Sequence, residues 1–213
     1  MKKTILFALG VVVVMFVINA YFYAQMPDKI ASHWGANGQV NGYMNKGVGA
    51  FLIPIISSVM LLVFIFIPVI DPLGKNIKEF MKYYQGLIIV FVIFMFYLNA
   101  LTVYWNLDNE FNMSQLLTPA FGGLFYYLGV VIGHAKKNWS VGIRTPWTLS
   151  SDVVWDKTHK IGGKLFKAAG IIALLGLFFP NYSIIFVLAP VIGITVYLFI
   201  YSFIEYRKTA KSI

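Results

Sequence analysis

The sequence predicts an all-α polytopic membrane protein, a bundle of six transmembrane helices that forms a single membrane domain over residues 1–213. Hydrophobic residues make up 59% of the chain and charged residues only 12%, whereas soluble chains carry about 25% charged residues. The mean hydropathy is +0.76, and the apolar residues occur in long runs of the kind that cross a bilayer. The basic residues are distributed unevenly among the polar segments between these runs, and this asymmetry predicts the orientation.

Six apolar runs are predicted to be membrane spans, at residues 4–24, 48–70, 86–105, 118–134, 165–179 and 183–204. The fourth and fifth are short for a hydrocarbon layer of about 30 Å, so the fifth is expected to begin earlier, near Gly163. The first run follows two lysines, as a signal peptide would. At 21 residues it is longer than a signal core, and Phe22 breaks the small-residue cleavage pattern. We therefore expect it to be retained as a span.

Fifteen of the seventeen basic residues fall on one side of these spans, and Lys29 and Lys46 fall on the other. Cytoplasmic loops of membrane proteins are enriched in Lys and Arg. The sequence therefore predicts a multi-pass protein of the cell membrane with both termini cytoplasmic. The residues of the basic side are Lys2, Lys3, Lys75, Lys78, Lys82, Lys136, Lys137, Arg144, Lys157, Lys160, Lys164, Lys167, Arg207, Lys208 and Lys211.

Composition and motifs weigh against several classes of function. The net charge of +9 follows from the loop bias, so no direct nucleic-acid partner is expected. All eight carboxylates lie in loops or at span ends, whereas ion-coupled transporters carry ionisable groups at membrane depth. The chain has no HExxH or GxSxG motif, so an enzyme is not expected. It has no cysteine, which excludes disulfides and thiolate metal sites, and neither a cofactor nor a metal is predicted.

Polar and small residues inside the spans are interpreted as packing devices. Polar side chains there are expected to hydrogen-bond between helices, and small residues four apart let two helices approach closely. The polar positions are Asn19, Ser57, Ser58, Asn99 and Thr102, and the small pairs are Gly129 with Gly133 and Ala169 with Ala173.

Residues 25–47 form a predicted outer loop module. Asn37-Gly38 and Asn41-Gly42 are strong turn formers, which predicts a compact hairpin or cap with a short extended piece between two turns. Trp34 suits the aromatic belt at the membrane interface. His33 has the chemistry to bind a metal or sense pH, but no second ligand accompanies it, so a hydrogen-bonded structural role beside Trp34 is the default interpretation.

The third loop, residues 106–117, has two carboxylates and no basic residue. It can meet a cationic peptide outside the cell, or it can be an ordinary solvated turn. The predicted outer-face interaction site is His33, Trp34, Asn37, Tyr43, Asp108 and Glu110.

Residues 138–164, here called the signature segment, form a long polar stretch in the apolar second half of the chain. Ser150 or Ser151 is expected to cap a short amphipathic helix that lies along the inner membrane surface. This helix is predicted to run through Ile161 and to end at Gly162-Gly163, where the chain bends into the fifth span.

The fourth loop carries seven basic and two acidic residues. Its charge can serve attraction to anionic lipid, or it can form a docking platform for a cytosolic protein. Arg144 lies between Gly142 and two tryptophans, Trp139 and Trp147. A guanidinium in that position can stack on an indole or clamp loop carbonyls, which indicates a fixed structural role.

The stretch GIRTPWTLSSDVVWDKTHKIGG, residues 142–163, resembles the signature of the SdpI-type membrane proteins. The first-loop pattern Pro27, His33-Trp34-Gly35, Gly38 and Gly42-Tyr43 resembles the outer module that precedes this signature in the family. With six spans and both ends inside, the resemblance covers essentially the whole chain.

The SdpI-type proteins are bacterial immunity proteins against the sporulation-delaying toxin peptide, so the resemblance implies resistance to a secreted, membrane-active toxin peptide. In the founding system such a protein also relays the presence of the toxin by holding a repressor at the membrane. The implied partners are membrane lipids, the toxin peptide outside and a cytosolic repressor inside. The alternative function is a small-molecule or lipid transporter. The predicted inner docking residues are Trp139, Gly142, Arg144, Thr145, Pro146, Trp147, Trp155 and His159.

Overall fold

The computed structural model describes residues 1–210, and Lys211, counted above with the basic C-terminus, lies outside the described residues. In chain order the elements are α1 Lys2–Phe22, β1 Lys29–Trp34, β2 Val40–Asn45, α2 Lys46–Ile70, α3 Gly74–Glu79, α4 Met81–Trp105, α5 Met113–Ile132, α6 Pro146–Ser150, α7 Asp152–Ala173 and α8 Ser183–Ala210. Short 3-10 turns follow α1 at Tyr23–Gln25 and α7 at Leu174–Phe178, and a third, Pro180–Tyr182, precedes α8.

Within residues 1–210, six helical segments are long and apolar enough to cross a membrane, which confirms the predicted all-α polytopic bundle. The two runs that are short in sequence are longer as helices, because α5 begins at Met113 and α7 begins at Asp152. The candidate spans are Lys2–Gln25, Lys46–Ile70, Met81–Trp105, Met113–Ile132, Asp152–Phe178 and Pro180–Ala210.

The loops gather at two ends of the bundle. At the hairpin end, the side-chain Nδ2 of Asn112 donates to the carbonyl oxygens of Asn37 at 3.0 Å and Pro180 at 3.4 Å. This end therefore contains the β1–β2 hairpin, the α4–α5 loop and the α7–α8 connection. At the opposite end, called the basic end, the side-chain Nδ2 of Asn76 donates to the Lys137 carbonyl oxygen at 2.7 Å. An even number of crossings places both ends of the described chain at the basic end.

The helices pack as two groups. The first group is α1, α2 and α4 together with the hairpin, the second is α5, α7 and α8, and contact between α4 and α5 joins them. A large cluster of buried apolar side chains fills the first group and extends to Trp155 of α7. Many large apolar side chains on the outside of the bundle are exposed, as expected where the surrounding solvent is hydrocarbon. Examples are Leu6, Val13, Leu62, Ile192 and Phe199.

The helix predicted to end at Gly162-Gly163 does not end there. Ser151 caps α7 as expected, since its hydroxyl accepts from the Val154 N–H at 3.4 Å, but α7 then continues to Ala173. The prediction of a separate surface helix is therefore wrong, and its residues form the first turns of the fifth span. The short helix within the fourth loop is α6.

Gly162 and Gly163 remain helical because they lie where α7 packs closely on its neighbours. A Cβ on Gly163 would lie 2.9 Å from the Gly129 carbonyl oxygen, and one on Gly170 would lie 2.5 Å from the Tyr126 backbone nitrogen. Backbones that approach this closely leave no room for a side chain. Packing of α5 on α7 therefore overrides the tendency of glycine to end a helix.

Asn19 of α1 and Asn99 of α4 form a reciprocal amide pair inside the bundle. Each Nδ2 donates to the other residue's Oδ1, at 2.8 and 2.9 Å. The predicted interhelical hydrogen bonding is confirmed for these two residues. It is wrong for Ser57, Ser58 and Thr102, whose hydroxyls donate to carbonyls four residues earlier in their own helices, a bond that short hydroxyl side chains reach easily.

Candidate functional site

The outer loop module folds as an antiparallel hairpin of β1 and β2. Gly38 has a φ of +76° in the connecting turn, as the Asn37-Gly38 pair predicts. The second predicted turn is wrong, because Asn41-Gly42 lies inside β2, where Gly42 pairs with His33. A Cβ on Gly42 would lie 2.9 Å from the His33 Cβ, so glycine serves strand packing at this position.

The hairpin is fixed to the bundle by hydrogen bonds from the end of α4 and the start of α5. The Asn106 side chain accepts from the Ala31 N–H at 2.7 Å and donates to the Ala31 carbonyl oxygen at 3.1 Å. The Ser114 hydroxyl donates to the Gly35 carbonyl oxygen at 3.1 Å. These bonds hold the hairpin over the helix ends and orient the side chains that it presents.

The hairpin turns its predicted site residues in two directions. Tyr43 is 58% exposed, and Asn37 and His33 are also exposed. The His33 Nδ1 lies 2.5 Å from the Asn41 Oδ1, so this ring is hydrogen-bonded. Trp34 instead turns inward and packs edge-on against Trp105, with ring centroids 5.9 Å apart.

Asp108 and Glu110 are exposed in the α4–α5 loop at the same end of the bundle. Asp108 has a φ of +61°, a conformation that Asp tolerates better than most residues. Neither carboxylate forms a salt bridge within the part of the chain that the structure describes. Both carboxylates are therefore available to a cationic group of another molecule.

At the basic end, Asn138 organises the start of the signature segment. Its Oδ1 accepts from the Ser140 N–H at 2.9 Å and the Val141 N–H at 2.6 Å. Its Nδ2 donates to the carbonyl oxygens of Lys136 at 2.7 Å and Val141 at 2.9 Å. The side chain is fully buried, so one amide satisfies four backbone groups of a loop that lacks regular secondary structure.

Trp155 and His159 form the buried centre of the segment. Their rings stack with centroids 3.8 Å apart, and the residues are only 1% and 3% exposed. The Trp155 Nε1 donates to the Ala135 carbonyl oxygen at 2.8 Å. The His159 Nδ1 lies 2.8 Å from the Trp155 carbonyl oxygen, and its Nε2 accepts from the Ile143 N–H at 3.0 Å. These partners require a neutral ring with the proton on Nδ1.

Gly142 lets the loop approach this histidine. Its φ is +125°, and a Cβ at this position would lie 2.4 Å from the His159 Nε2. Glycine is therefore required both for the backbone conformation and for the space.

Thr145, Pro146 and Trp147 attach the segment to α8. Thr145 caps α6 in a reciprocal arrangement with Thr148, and Pro146 occupies the first turn. The Thr145 hydroxyl donates to the Ser202 hydroxyl of α8 at 3.0 Å. The Trp147 ring packs on two phenylalanines of the same helix, with centroids 4.9 Å from Phe199 and 5.0 Å from Phe203.

Arg144 clamps the loop through a backbone carbonyl, as one of the two sequence-based alternatives states. Its Nη1 donates to the Trp139 carbonyl oxygen at 2.5 Å, while the side chain remains exposed. Trp139 itself is 55% exposed. The predicted inner residues thus separate into three sets. Trp139, Arg144 and Pro146 are exposed, Gly142 and Trp147 are partly exposed, and Thr145, Trp155 and His159 are buried where a docked protein could not touch them.

Asp71, at the end of α2, is an important contact that the sequence analysis did not single out. Its Oδ2 accepts from the Trp139 N–H at 3.0 Å and from the Ser140 hydroxyl at 2.6 Å, and its Oδ1 accepts from the Leu73 N–H at 2.7 Å. The carboxylate therefore joins the first helix group to the signature segment. The Asp-Pro sequence signals the local turn, but the contact with Trp139 depends on tertiary structure.

Glu205 of α8 is a second residue that the sequence analysis missed. Its carboxylate forms ion pairs with Lys157 of α7 at 2.7 Å and with Lys208 at 2.9 Å. The spacing of Glu205 and Lys208 is visible in the sequence, whereas Lys157 is brought there by helix packing. Within residues 1–210, no three His, Asp or Glu side chains are grouped closely enough to hold a metal ion.

Comparison with known proteins is consistent with this architecture. Residues 134–202 match the model of the SdpI/YfhL protein family, and residues 10–57 match a domain of unknown function, DUF1648. Immunity protein SdpI of Bacillus subtilis (strain 168) is 25% identical over 209 residues, which cover 98% of this chain and 98% of that protein. The chain is therefore similar to the SdpI family in residues 134–202 and to an SdpI protein over nearly its full length.

Each of the two family matches falls within one helix group, and α4 and α5 lie outside both. The DUF1648 match contains most of α1, the hairpin and the first half of α2, and the SdpI match contains the signature segment, α7 and much of α8. The six apolar helices and the full-length relative together establish a multi-pass membrane protein. No solved structure matches the chain.

Proposed function

We propose that this protein is an integral membrane immunity protein that protects a bacterial cell from a secreted, membrane-active toxin peptide. The observation that carries the proposal is the alignment with Immunity protein SdpI, because it extends over 98% of both chains. A match of that extent includes both helix groups and the loops at both ends of the bundle.

We further propose that the protein lies in the cell membrane with the basic end in the cytoplasm and the hairpin end outside. The support is the bias of cytoplasmic loops towards Lys and Arg. In this orientation the toxin meets the hairpin end. The exposed Tyr43 ring and the carboxylates of Asp108 and Glu110, which have no salt-bridge partner in the described chain, offer an aromatic surface and negative charge to an approaching peptide.

The test is survival of a strain sensitive to the sporulation-delaying toxin peptide that expresses this chain. We expect wild-type protein to raise survival under toxin challenge. Unchanged killing at confirmed membrane expression would exclude immunity to that toxin.

Variants at the hairpin end separate recognition from folding. We expect Tyr43→Ala, and the double variant Asp108→Asn with Glu110→Gln, to lower survival while membrane levels stay unchanged. Asp156→Asn is the matched control, since this carboxylate is exposed at the basic end. Equal survival of all these variants would show that the hairpin end does not meet the toxin.

We also propose that the protein relays the presence of the toxin to a cytosolic repressor. The exposed pair Trp139 and Arg144 is the surface that a repressor would contact, and the surrounding lysines add positive charge. A Trp139→Ala variant should lose capture of a co-expressed repressor by membranes while it still gives immunity. Capture that is equal to that of the wild-type protein would contradict this role of the basic end.

A further inference from the structure

A cavity of about 530 Å³ lies at the hairpin end, between the two helix groups. The hairpin lines one side of it, α2 and α4 contribute from the first helix group, and α5 and α8 contribute from the second. Its volume is within the range of about 300–1,000 Å³ that is typical of small-molecule sites in proteins.

The walls of the cavity are largely apolar. The side chains that set its character are Ile53, Leu98, Met113, Leu117, Phe121 and Leu188. Leu188 is 48% exposed on the outside of α8, so this part of the wall is at the surface that faces lipid. A water molecule in a cavity needs about 2–4 polar partners, and most of this wall supplies none.

One polar group in the wall lacks a partner. Trp34 lines the cavity, and its Nε1–H is buried without a hydrogen-bond acceptor among residues 1–210. The nearby Ser114 and Thr102 hydroxyls already donate to backbone carbonyl oxygens. A buried N–H without an acceptor is unfavourable, so a ligand that brings an acceptor oxygen is favoured.

We propose that this cavity binds one acyl chain of a membrane phospholipid, with an ester carbonyl oxygen of the lipid accepting a hydrogen bond from the Trp34 Nε1. The apolar wall matches the hydrocarbon chain, and the indole N–H matches the ester region just above it. Tryptophan commonly takes this position at membrane interfaces, with its ring in the apolar layer and its N–H at the polar boundary.

A phospholipid is the occupant because the wall at Leu188 faces the membrane and no lysine, arginine or carboxylate lines the cavity. The unpaired Trp34 donor selects for an ester oxygen, which all common phospholipids carry, and not for a particular headgroup. Binding is therefore expected to be similar for phosphatidylglycerol and phosphatidylethanolamine. The bound chain would fill the space between the helix groups and hold the hairpin over them.

The experiment is native mass spectrometry of the full chain, released from nanodiscs of phosphatidylglycerol or of phosphatidylethanolamine. We expect wild-type protein to retain one phospholipid from either source. Leu117→Trp and Leu188→Trp place an indole in the cavity and should each lower the lipid-bound fraction about tenfold, a difference of about 1.4 kcal/mol. Trp34→Phe, which keeps an aromatic ring but lacks the donor, should release the lipid at lower collision energy.

Leu62→Trp is the matched control, because Leu62 is 55% exposed on α2 and does not line this cavity. It should retain lipid as the wild-type protein does. Equal retention by Leu117→Trp, Leu188→Trp and Leu62→Trp would overturn the proposal. Retention of one headgroup only would also overturn it and would point to the lysines of the basic end. A bound species with the mass of a peptide, or no bound species, would exclude a phospholipid as the occupant.

Discussion

Among single residues, His159 shows why burial decides the role of a polar side chain in the signature segment. In sequence it belongs to a motif with basic residues and tryptophans, which favours a place on a docking surface. In the structure its two ring nitrogens are bonded to backbone groups and its ring is stacked on Trp155. It joins α7 to the turn at Gly142, and its contribution is to hold the loop that presents Trp139 and Arg144.

The substitution His159→Ala tests this role. It would leave the half-buried Ile143 N–H without an acceptor and would remove a ring from the core. We expect the free energy of unfolding to fall by about 2–4 kcal/mol, measured by denaturant titration of the purified protein in mixed micelles.

His33→Ala is the control for this measurement, since His33 is exposed in the hairpin. We expect a loss below about 1 kcal/mol there, in line with other surface substitutions. A similar loss for both variants would indicate that the bonds of His159 do not hold the segment.

At the scale of elements, the α5–α7 crossing is where the structure differs most from the structure that the sequence predicts. The Gly162-Gly163 pair is typical of a helix end, yet α7 passes through it without interruption. Both partners of the crossing contribute glycines, so the two backbones meet directly at Gly129 and Gly163. This close packing lets α7 start in the polar signature segment and continue through the membrane.

Gly129→Ala is predicted to weaken this crossing. The new Cβ would lie 2.6 Å from the Gly163 carbonyl oxygen and 2.6 Å from the Lys167 backbone nitrogen, and backbone atoms cannot move aside cheaply. We expect a loss of about 1–3 kcal/mol in the free energy of unfolding.

Gly123→Ala in the same helix is the matched control, because a Cβ there has no atom within 4 Å. The higher helix propensity of alanine should leave this variant as stable as the wild-type protein, or more stable by up to about 1 kcal/mol. If Gly129→Ala is as stable as Gly123→Ala, the helices do not meet as closely as described.

At the scale of the whole molecule, two helix groups are joined in different ways at the two ends of the bundle. At the basic end, Asp71 of the first group bonds to the loop that begins the signature segment. At the hairpin end, Asn112 bonds to the hairpin and to the α7–α8 connection, and the proposed lipid site lies between the groups. Events at the two ends of the bundle can therefore act on one packed unit.

The orientation of this unit can be tested with single cysteines, since the natural chain has none. Gln39 is exposed at the hairpin end and Lys136 is exposed at the basic end. We expect a membrane-impermeant maleimide to label Gln39→Cys in intact cells and to label Lys136→Cys only after permeabilisation. The opposite pattern would reverse the proposed placement of the basic end in the cytoplasm.

The sequence predicts the spans well because each one depends on a local property, a run of apolar residues longer than the hydrocarbon layer. The same holds for the Asn37-Gly38 turn and the Ser151 cap, which depend on neighbouring backbone groups. Prediction failed at Asn41-Gly42 and at Gly162-Gly163. In both places a local preference of glycine for turns was outweighed by close packing against another strand or helix, at His33 of β1 in one case and at Gly129 of α5 in the other.

The division of the predicted inner site into a buried and an exposed part is likewise a result of tertiary structure. Trp139 and Trp155 are the same residue type in one polar stretch, yet they are 55% and 1% exposed. Nothing in the local sequence distinguishes them, because burial depends on which helix packs over each ring. The same is true of Asp71, whose partners Trp139 and Ser140 are far away in the chain.

The sequence by itself determined that this chain crosses a membrane six times, which side of it is basic, and which two segments resemble a known family. Each of these properties depends on residues that are neighbours in the sequence, so the amino-acid sequence suffices to predict them. Only the tertiary structure decided which tryptophans are exposed, how α7 passes through its glycines, and where a cavity separates the helix groups. Those features depend on contacts between distant residues, and such contacts exist only once the helices have packed.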